Sequence, residues 1–161
     1  MKLFAIISII LVFVLGWYAS LVYTDLSTVK IDKTISPNTE NAMPFDRIKE
    51  DQILVYNDKV ILNIKDASWA TYEDTDSMLP ILDKGANGIE IIPQNENEVH
   101  IGDIVAYESS FVDGLVVHRV IHIGEDKKGK YFILKGDSNN SEDPEKVRFN
   151  QIKYILIGVI Y

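Results

Sequence analysis

The feature that most constrains this chain is an apolar run without a charged residue from Leu3 to Thr24. At ~1.5 Å per helical residue, such a run reaches roughly across the 30 Å hydrocarbon core of a bilayer. Aromatic side chains favour the headgroup interface, and three of them cluster near the far end of the run. They are Trp17, Tyr18 and Tyr23. The run therefore predicts one transmembrane helix over residues 1–24, with residues 3–24 contacting the lipid bilayer.

A cleaved signal peptide is the competing interpretation of the same run, because Tyr18-Ala19-Ser20 offers small residues for cleavage. However, the run is longer than the ~7–15 apolar residues of a usual signal peptide, and its basic leader is minimal. These features favour an uncleaved, single-pass anchor. Under either interpretation, the chain after Asp25 is expected to lie outside the cytoplasm.

Length and composition limit the number of domains, the partners and the kinds of chemistry that this chain can have. The chain has 161 residues, which leaves room for one compact domain behind the anchor. A formal net charge of −8 argues against nucleic acid as a partner, since nucleic acids need a basic surface. The chain contains no cysteine, so disulfides, thiolate catalysis and cysteine-bound zinc are excluded.

Residues 25–50 are polar and predict a juxtamembrane connector, whereas residues 51–161 alternate short β-rich segments with turn residues. The segments Ile53–Tyr56 and Val60–Ile64 flank Asn57-Asp58, which predicts a hairpin. Further strands are predicted at Trp69–Tyr72, Ile89–Ile92, Ile104–Tyr107, Leu115–Ile123, Tyr131–Leu134 and Ile152–Tyr161. This spacing is typical of a mainly β fold, here a single antiparallel β domain resembling a barrel or a sandwich.

One serine and two histidines are the first candidates for chemistry. Pro80 disfavours helix at the residue before it, so Ser77 is expected at a strand-to-turn junction that can present its hydroxyl to a cleft. An ordinary turn serine is the alternative. In the predicted strand around His118, alternation places His118 and His122 on one face and Arg119 on the other.

A loop rich in aspartate, asparagine and serine follows, between Asp137 and Asp143. Its spacing partly fits a calcium-binding loop, but Glu142 stands where such a loop needs glycine and Arg148 where it needs glutamate. We therefore expect no metal or other cofactor there. A hydroxyl, a histidine and a carboxylate in this order instead supply the three roles that acyl transfer requires.

Four short blocks behind the apolar run also occur in a familiar order. They are Thr75–Pro80, Gly102–Tyr107, Val117–Ile121, and Lys135–Asn140 followed by Asp143. Together these blocks resemble signal peptidase I of the archaeal and endoplasmic-reticulum type. In that type the third block carries histidine, whereas bacterial relatives carry lysine there. Matching the blocks residue by residue implies a nucleophile at Ser77, a general base at His118 and an orienting carboxylate at Asp143.

The resemblance implies two further site residues, Asp137 as a second aspartate of the same loop and Thr75 as an oxyanion-hole hydroxyl. The sequence leaves open whether Asp137 or Asp143 contacts His118. It also implies a serine endopeptidase that removes signal peptides from secretory preproteins after small residues at positions −1 and −3. Such an enzyme would lie in the cell membrane near the translocon with its catalytic domain outside the cytoplasm. An archaeal source is favoured.

One departure from the family pattern concerns Asp76, which stands where the family has glycine and brings a negative charge next to the nucleophile. Two other functions stay open. A non-catalytic, membrane-tethered β module for adhesion or assembly would leave Ser77, His118 and Asp143 far apart. A self-cleaving serine/lysine peptidase of the repressor type would need a lysine beside Ser77. No second membrane segment is expected after the domain.

Overall fold

A computed structural model describes Trp17 and residues 42–161 of the chain. The anchor expected over residues 3–24 and most of the connector lie outside the described residues. Within the described part, no helix is both long and apolar enough to cross a membrane. The residues from 42 onward belong to one compact unit.

This unit is built from β-strands that pair antiparallel throughout its described part. The strands are β1 (Ile53–Val55), β2 (Val60–Leu62), β3 (Ala67–Thr71), β4 (Asn87–Ile91), β5 (Ile104–Glu108), β6 (Leu115–Asp126), β7 (Gly129–Lys135) and β8 (Ile152–Ile160). β1 and β2 form the predicted hairpin, and the other strands form a six-stranded sheet in the order β3-β4-β8-β5-β6-β7. The prediction of a mainly β, antiparallel domain is confirmed.

The sheet is open, so the expected barrel is not formed. Among the described strands, β3 and β7 are the two edges and do not pair with each other, whereas a barrel requires its edge strands to pair. The β1–β2 hairpin is a separate two-stranded sheet whose side chains are mostly exposed. Val55, for example, is 74% exposed.

Alternating side chains place an apolar cluster on each face of this sheet. In β5, Val105 and Tyr107 contribute to one cluster, whereas Ile104 contributes to the other. The first cluster also holds Val120 and Phe132. Burial of apolar surface on both faces explains why the central strands are stable without closure into a barrel.

A register shift interrupts the pairing of β6 shortly after His118. The pairing with β7 shifts between Val120 and His122, and such a bulge changes the face to which the following side chains point. As a result, Val120 and Ile123 both pack against the first cluster, while His122 is exposed and lies beside Tyr131. The expectation that His118 and His122 share a face is therefore wrong.

Candidate active site

Ser77 begins the turn that follows β3, as its proline pattern predicted. Backbone N–H groups of Ile81 and Leu82 both donate to the carbonyl of Met78 at 3.0 Å. The Met78 side chain is buried in the second apolar cluster. The buried Met78 side chain therefore anchors the turn to the domain. Ser77 is half-buried and lines a cavity.

The residue before the serine has an unusual backbone conformation that explains the departure at Asp76. Its φ is 56°, in the left-handed region where glycine is at ease and most other residues are strained. Aspartate is among the side chains that tolerate this region best. The carboxylate is exposed, so solvent screens its charge from the neighbouring hydroxyl.

His118 and Asp143 are in direct contact. The Nδ1 atom of His118 lies 2.9 Å from Oδ1 and 2.8 Å from Oδ2 of Asp143. Since a carboxylate can only accept hydrogen bonds, this contact places the imidazole proton on Nδ1. Nε2 is then left as the basic nitrogen. Residues 118 and 143 come together because β6 positions the histidine, while a backbone hydrogen bond from Asp143 N–H to the Leu134 carbonyl ties the loop to β7.

Tyr107 is a site residue that the sequence reasoning missed. Its hydroxyl donates to Oδ2 of Asp143 at 2.8 Å. Burial, reinforced by that hydrogen bond and by the charge of Asp143, raises the pKa of Tyr107 far above its ordinary value. The hydroxyl therefore stays protonated and keeps donating at any working pH. Alternation places Tyr107 on the same face of β5 as Val105, but the pairing of Val105 with His118, which brings Tyr107 to this site, is given only by the structure.

The carboxylate loop also fastens the nucleophile turn. Ser138 N–H donates to the Ser77 carbonyl and Ser138 Oγ donates to the Leu79 carbonyl, both at 2.9 Å. Gly136 makes the close approach possible, since a Cβ at that position would lie 2.6 Å from the Ser77 carbonyl oxygen. One loop thus sets the position of Ser77 and, through Asp143, the position of His118.

Asp137 does not contact His118 and instead pairs with Arg119 on the opposite face of β6. Arg119 donates from Nε to Oδ1 and from Nη2 to Oδ2 of Asp137, each at 2.7 Å. The two side chains are only 3% and 4% exposed. Arg119 also donates to the Gly102 carbonyl at 2.7 Å. This bidentate pair anchors the start of the loop to the strand that carries His118.

Replacing Asp137 with alanine is expected to destabilise the domain by about 3–5 kcal/mol, because it leaves the Arg119 charge buried without its partner. Urea denaturation of the purified protein measures this. Glu108→Gln is the matched control: Glu108 pairs with Lys153 at 3.0 Å on the surface, where such a pair contributes about 1 kcal/mol or less. Equal stability losses in the two variants would contradict a special role for Asp137.

Ser77, Thr75 and His118 line one cavity of about 510 Å³. Thr75 Oγ1 lies 3.3 Å from Ser77 Oγ. Within residues 42–161, no hydrogen bond joins Ser77 to His118; in ligand-free enzymes such contacts are often long and shorten when substrate binds. No lysine of the described residues lines this cavity, and no three acidic or histidine side chains among those residues are grouped as metal ligands.

Glu145 holds a loop that contributes residues to the cavity. Glu145 accepts hydrogen bonds from Ser109 Oγ and from the Ser110 backbone and hydroxyl, all at 2.8 Å. Burial would raise the pKa of Glu145, but these hydrogen bonds outweigh it and lower the pKa below its ordinary value. The loop that brings Val112 and Asp113 to the cavity is thereby tied to Glu145.

Comparisons with known proteins add a short similarity. The chain is 38% identical over 47 residues to the signal peptidase complex catalytic subunit SEC11 of Plasmodium falciparum, a match covering 29% of this chain and 26% of the relative. It is 52% identical over 44 residues to an uncharacterized protein of Methanocaldococcus jannaschii, covering 27% and 22%. No family model matches the chain, and no solved structure matches it.

These matches span about a quarter of each relative. The match to the SEC11 subunit indicates a relation to signal peptidases over a short segment of the chain.

Proposed function

We propose that this protein is a membrane-bound serine endopeptidase that removes signal peptides from secreted preproteins, cutting after small residues at positions −1 and −3. The observation that carries the proposal is the contact of 2.8 Å between His118 Nδ1 and Asp143 Oδ2, in a site whose cavity is also lined by Ser77. The short similarity to a signal peptidase catalytic subunit supports the substrate class. The charge-free run at residues 3–24 supports a location in the cell membrane with the domain outside the cytoplasm.

In the proposed reaction, Nε2 of His118 removes the proton of Ser77 as the hydroxyl attacks the scissile carbonyl. Asp143 holds the imidazole in the required tautomer and stabilises the imidazolium that forms. The protonated His118 then gives its proton to the leaving amine. Water attacks the acyl-enzyme in a second step, again with His118 as the base.

In this proposal, two groups stabilise the oxyanion. The Ser77 backbone N–H makes no hydrogen bond within the described part of the chain, so it is free to donate to a substrate oxygen. The Thr75 hydroxyl is close to the attacking oxygen. Donors that are already in position act most strongly on charge that develops in the transition state.

Thr75→Val is therefore expected to lower kcat by roughly 10²–10³-fold with little effect on folding, as the loss of one oxyanion donor typically does. Steady-state cleavage of a preprotein with alanine at −1 and −3 measures the loss. Thr71→Val is the matched control, because Thr71 lines the same cavity but is exposed at the end of β3. Unchanged kinetics in Thr75→Val would refute the oxyanion role.

The two rival functions require a different arrangement of residues around Ser77. A non-catalytic module predicts that Ser77, His118 and Asp143 lie far apart, whereas His118 contacts Asp143 and lines one cavity together with Ser77. A serine/lysine peptidase needs a lysine at the cavity, and none of the described residues provides one. Incubating the detergent-solubilised protein with the preprotein above tests the proposal directly: cleavage at the expected bond supports it, and no cleavage by well-folded protein would refute it.

A further inference from the structure

The cavity beside Ser77 has an uneven charge. Three carboxyl side chains line it, and no lysine or arginine among the described residues does. The three are Glu73, Glu90 and Asp113. Glu73 and Asp113 are exposed, so solvent weakens their influence. Glu90 is shielded from solvent, because it lies on β4, which pairs with a strand on each side.

Glu90 is buried without a counter-charge. The residue is only 4% exposed, and no ion pair in the described part of the chain includes it. Its Oε1 accepts one hydrogen bond, from the Tyr72 hydroxyl at 3.1 Å. Its Oε2 accepts no hydrogen bond from those residues. Every fully buried side-chain oxygen among them has a hydrogen-bond partner, so Oε2 keeps some contact with solvent. Because Glu90 lines the cavity, this second oxygen is open to a ligand there.

The fold is arranged to keep Tyr72 against this carboxyl. Gly88 lies two residues before Glu90 on β4, and a Cβ on Gly88 would lie 1.8 Å from the Tyr72 hydroxyl oxygen. Burial raises the pKa of Glu90 above its ordinary value, and the hydrogen bond from Tyr72 only partly offsets this. A buried carboxyl of this kind is stabilised by a cationic partner, since the ion pair and its hydrogen bond offset the cost of burying the charge.

We propose that Glu90 is a specificity-determining residue that binds a basic side chain of the peptide substrate at a position other than −1 and −3. The inference rests on the proposed peptidase function and adds a substrate preference to it. Apolar neighbours in the cavity, including Met78 and Leu82, would contact the aliphatic part of a lysine. The ammonium group would then reach the open oxygen of Glu90.

A peptide series tests this preference with the full-length protein in detergent. Each peptide has alanine at −1 and −3 and carries either lysine or norleucine at one of the surrounding positions. Norleucine keeps the four carbons of the lysine side chain and lacks the charged ammonium group. At one position, lysine is expected to raise kcat/KM about ten- to a hundredfold over norleucine, the range of a charged hydrogen bond. Glu90→Gln should remove the preference, whereas Glu73→Gln, in the same cavity, should keep it.

Binding separates a failure of this inference from a failure of the proposed function. Fluorescence anisotropy with labelled peptides on Ser77→Ala protein reports the lysine preference without any cleavage. Tighter binding of the lysine peptide, lost on adding Glu90→Gln, supports the inference even if no peptide is cut. If Glu90→Gln does not fold, Glu90→Met replaces it with the same expectation. No lysine preference at any position, or a preference that survives loss of the carboxyl, would overturn the inference.

Discussion

Replacing Ser77 with alanine is expected to lower kcat for preprotein cleavage by about 10⁶-fold, the loss seen when a serine of such a catalytic unit is removed. The physical reason is that, in the proposed mechanism, Ser77 Oγ is the atom that forms the acyl-enzyme. Thr75 Oγ1 lies 3.3 Å from Ser77 Oγ, yet in the proposed mechanism it is a hydrogen-bond donor and not the attacking group. Single-turnover cleavage of a preprotein with alanine at −1 and −3 gives the sensitivity that this measurement needs.

Ser141→Ala is the matched control for that experiment. Ser141 is exposed in the same loop that carries Asp143, and its hydroxyl makes no hydrogen bond within residues 42–161. This variant should cleave at the rate of the unchanged protein, since surface substitutions of this kind shift stability by about 0.5 kcal/mol or less. Retained cleavage by Ser77→Ala would remove Ser77 from the mechanism.

Replacing His118 with alanine is expected to have an effect of similar size, about 10⁶-fold in kcat, because serine and base act as a unit. The contact with Asp143 at 2.8 Å gives His118 its tautomer and its orientation. Adding His118→Ala to Ser77→Ala should therefore cause little further loss. The comparison of both single variants with the double variant in one assay measures this non-additivity.

His122→Ala is the control that the fold provides for the second prediction. His122 is four residues away on the same strand, but the register shift leaves it exposed beside Tyr131. Its replacement should leave kcat within about a factor of two, as expected for a surface change of about 0.5 kcal/mol or less. If His122→Ala alone abolished turnover, the assignment of the base to His118 would be wrong.

Sequence reasoning predicted the strands well because their signals are local. Alternating apolar residues and the turn Asn57-Asp58 act within a few positions of one another, so the β1–β2 hairpin and the strands of the sheet were found. The open form of the sheet was missed, since it depends on whether β3 and β7 meet, and no short pattern states this. The bulge after Val120 was missed for a similar reason, because an ideal alternation contains no extra residue.

The candidate site, too, was predicted from the sequence only in part. The order of Ser77, His118 and Asp143, the resemblance of their surroundings to one peptidase family and the departure at Asp76 could all be taken from the chain itself. Which aspartate contacts the histidine could not. Asp137 and Asp143 lie in one loop, and only the packing of that loop turns Asp143 toward His118 and Asp137 toward Arg119.

The Ser77 turn is determined by the sequence itself, because Pro80 disfavours helix before it and the small serine hydroxyl can face a cleft. Tertiary structure alone decided what surrounds it. Gly136 and Ser138 lock the turn to the carboxylate loop, Tyr107 supports Asp143, and Glu90 is buried in the same cavity. The physical reason is distance along the chain, since these contacts join segments whose pairing depends on the packing of the whole sheet.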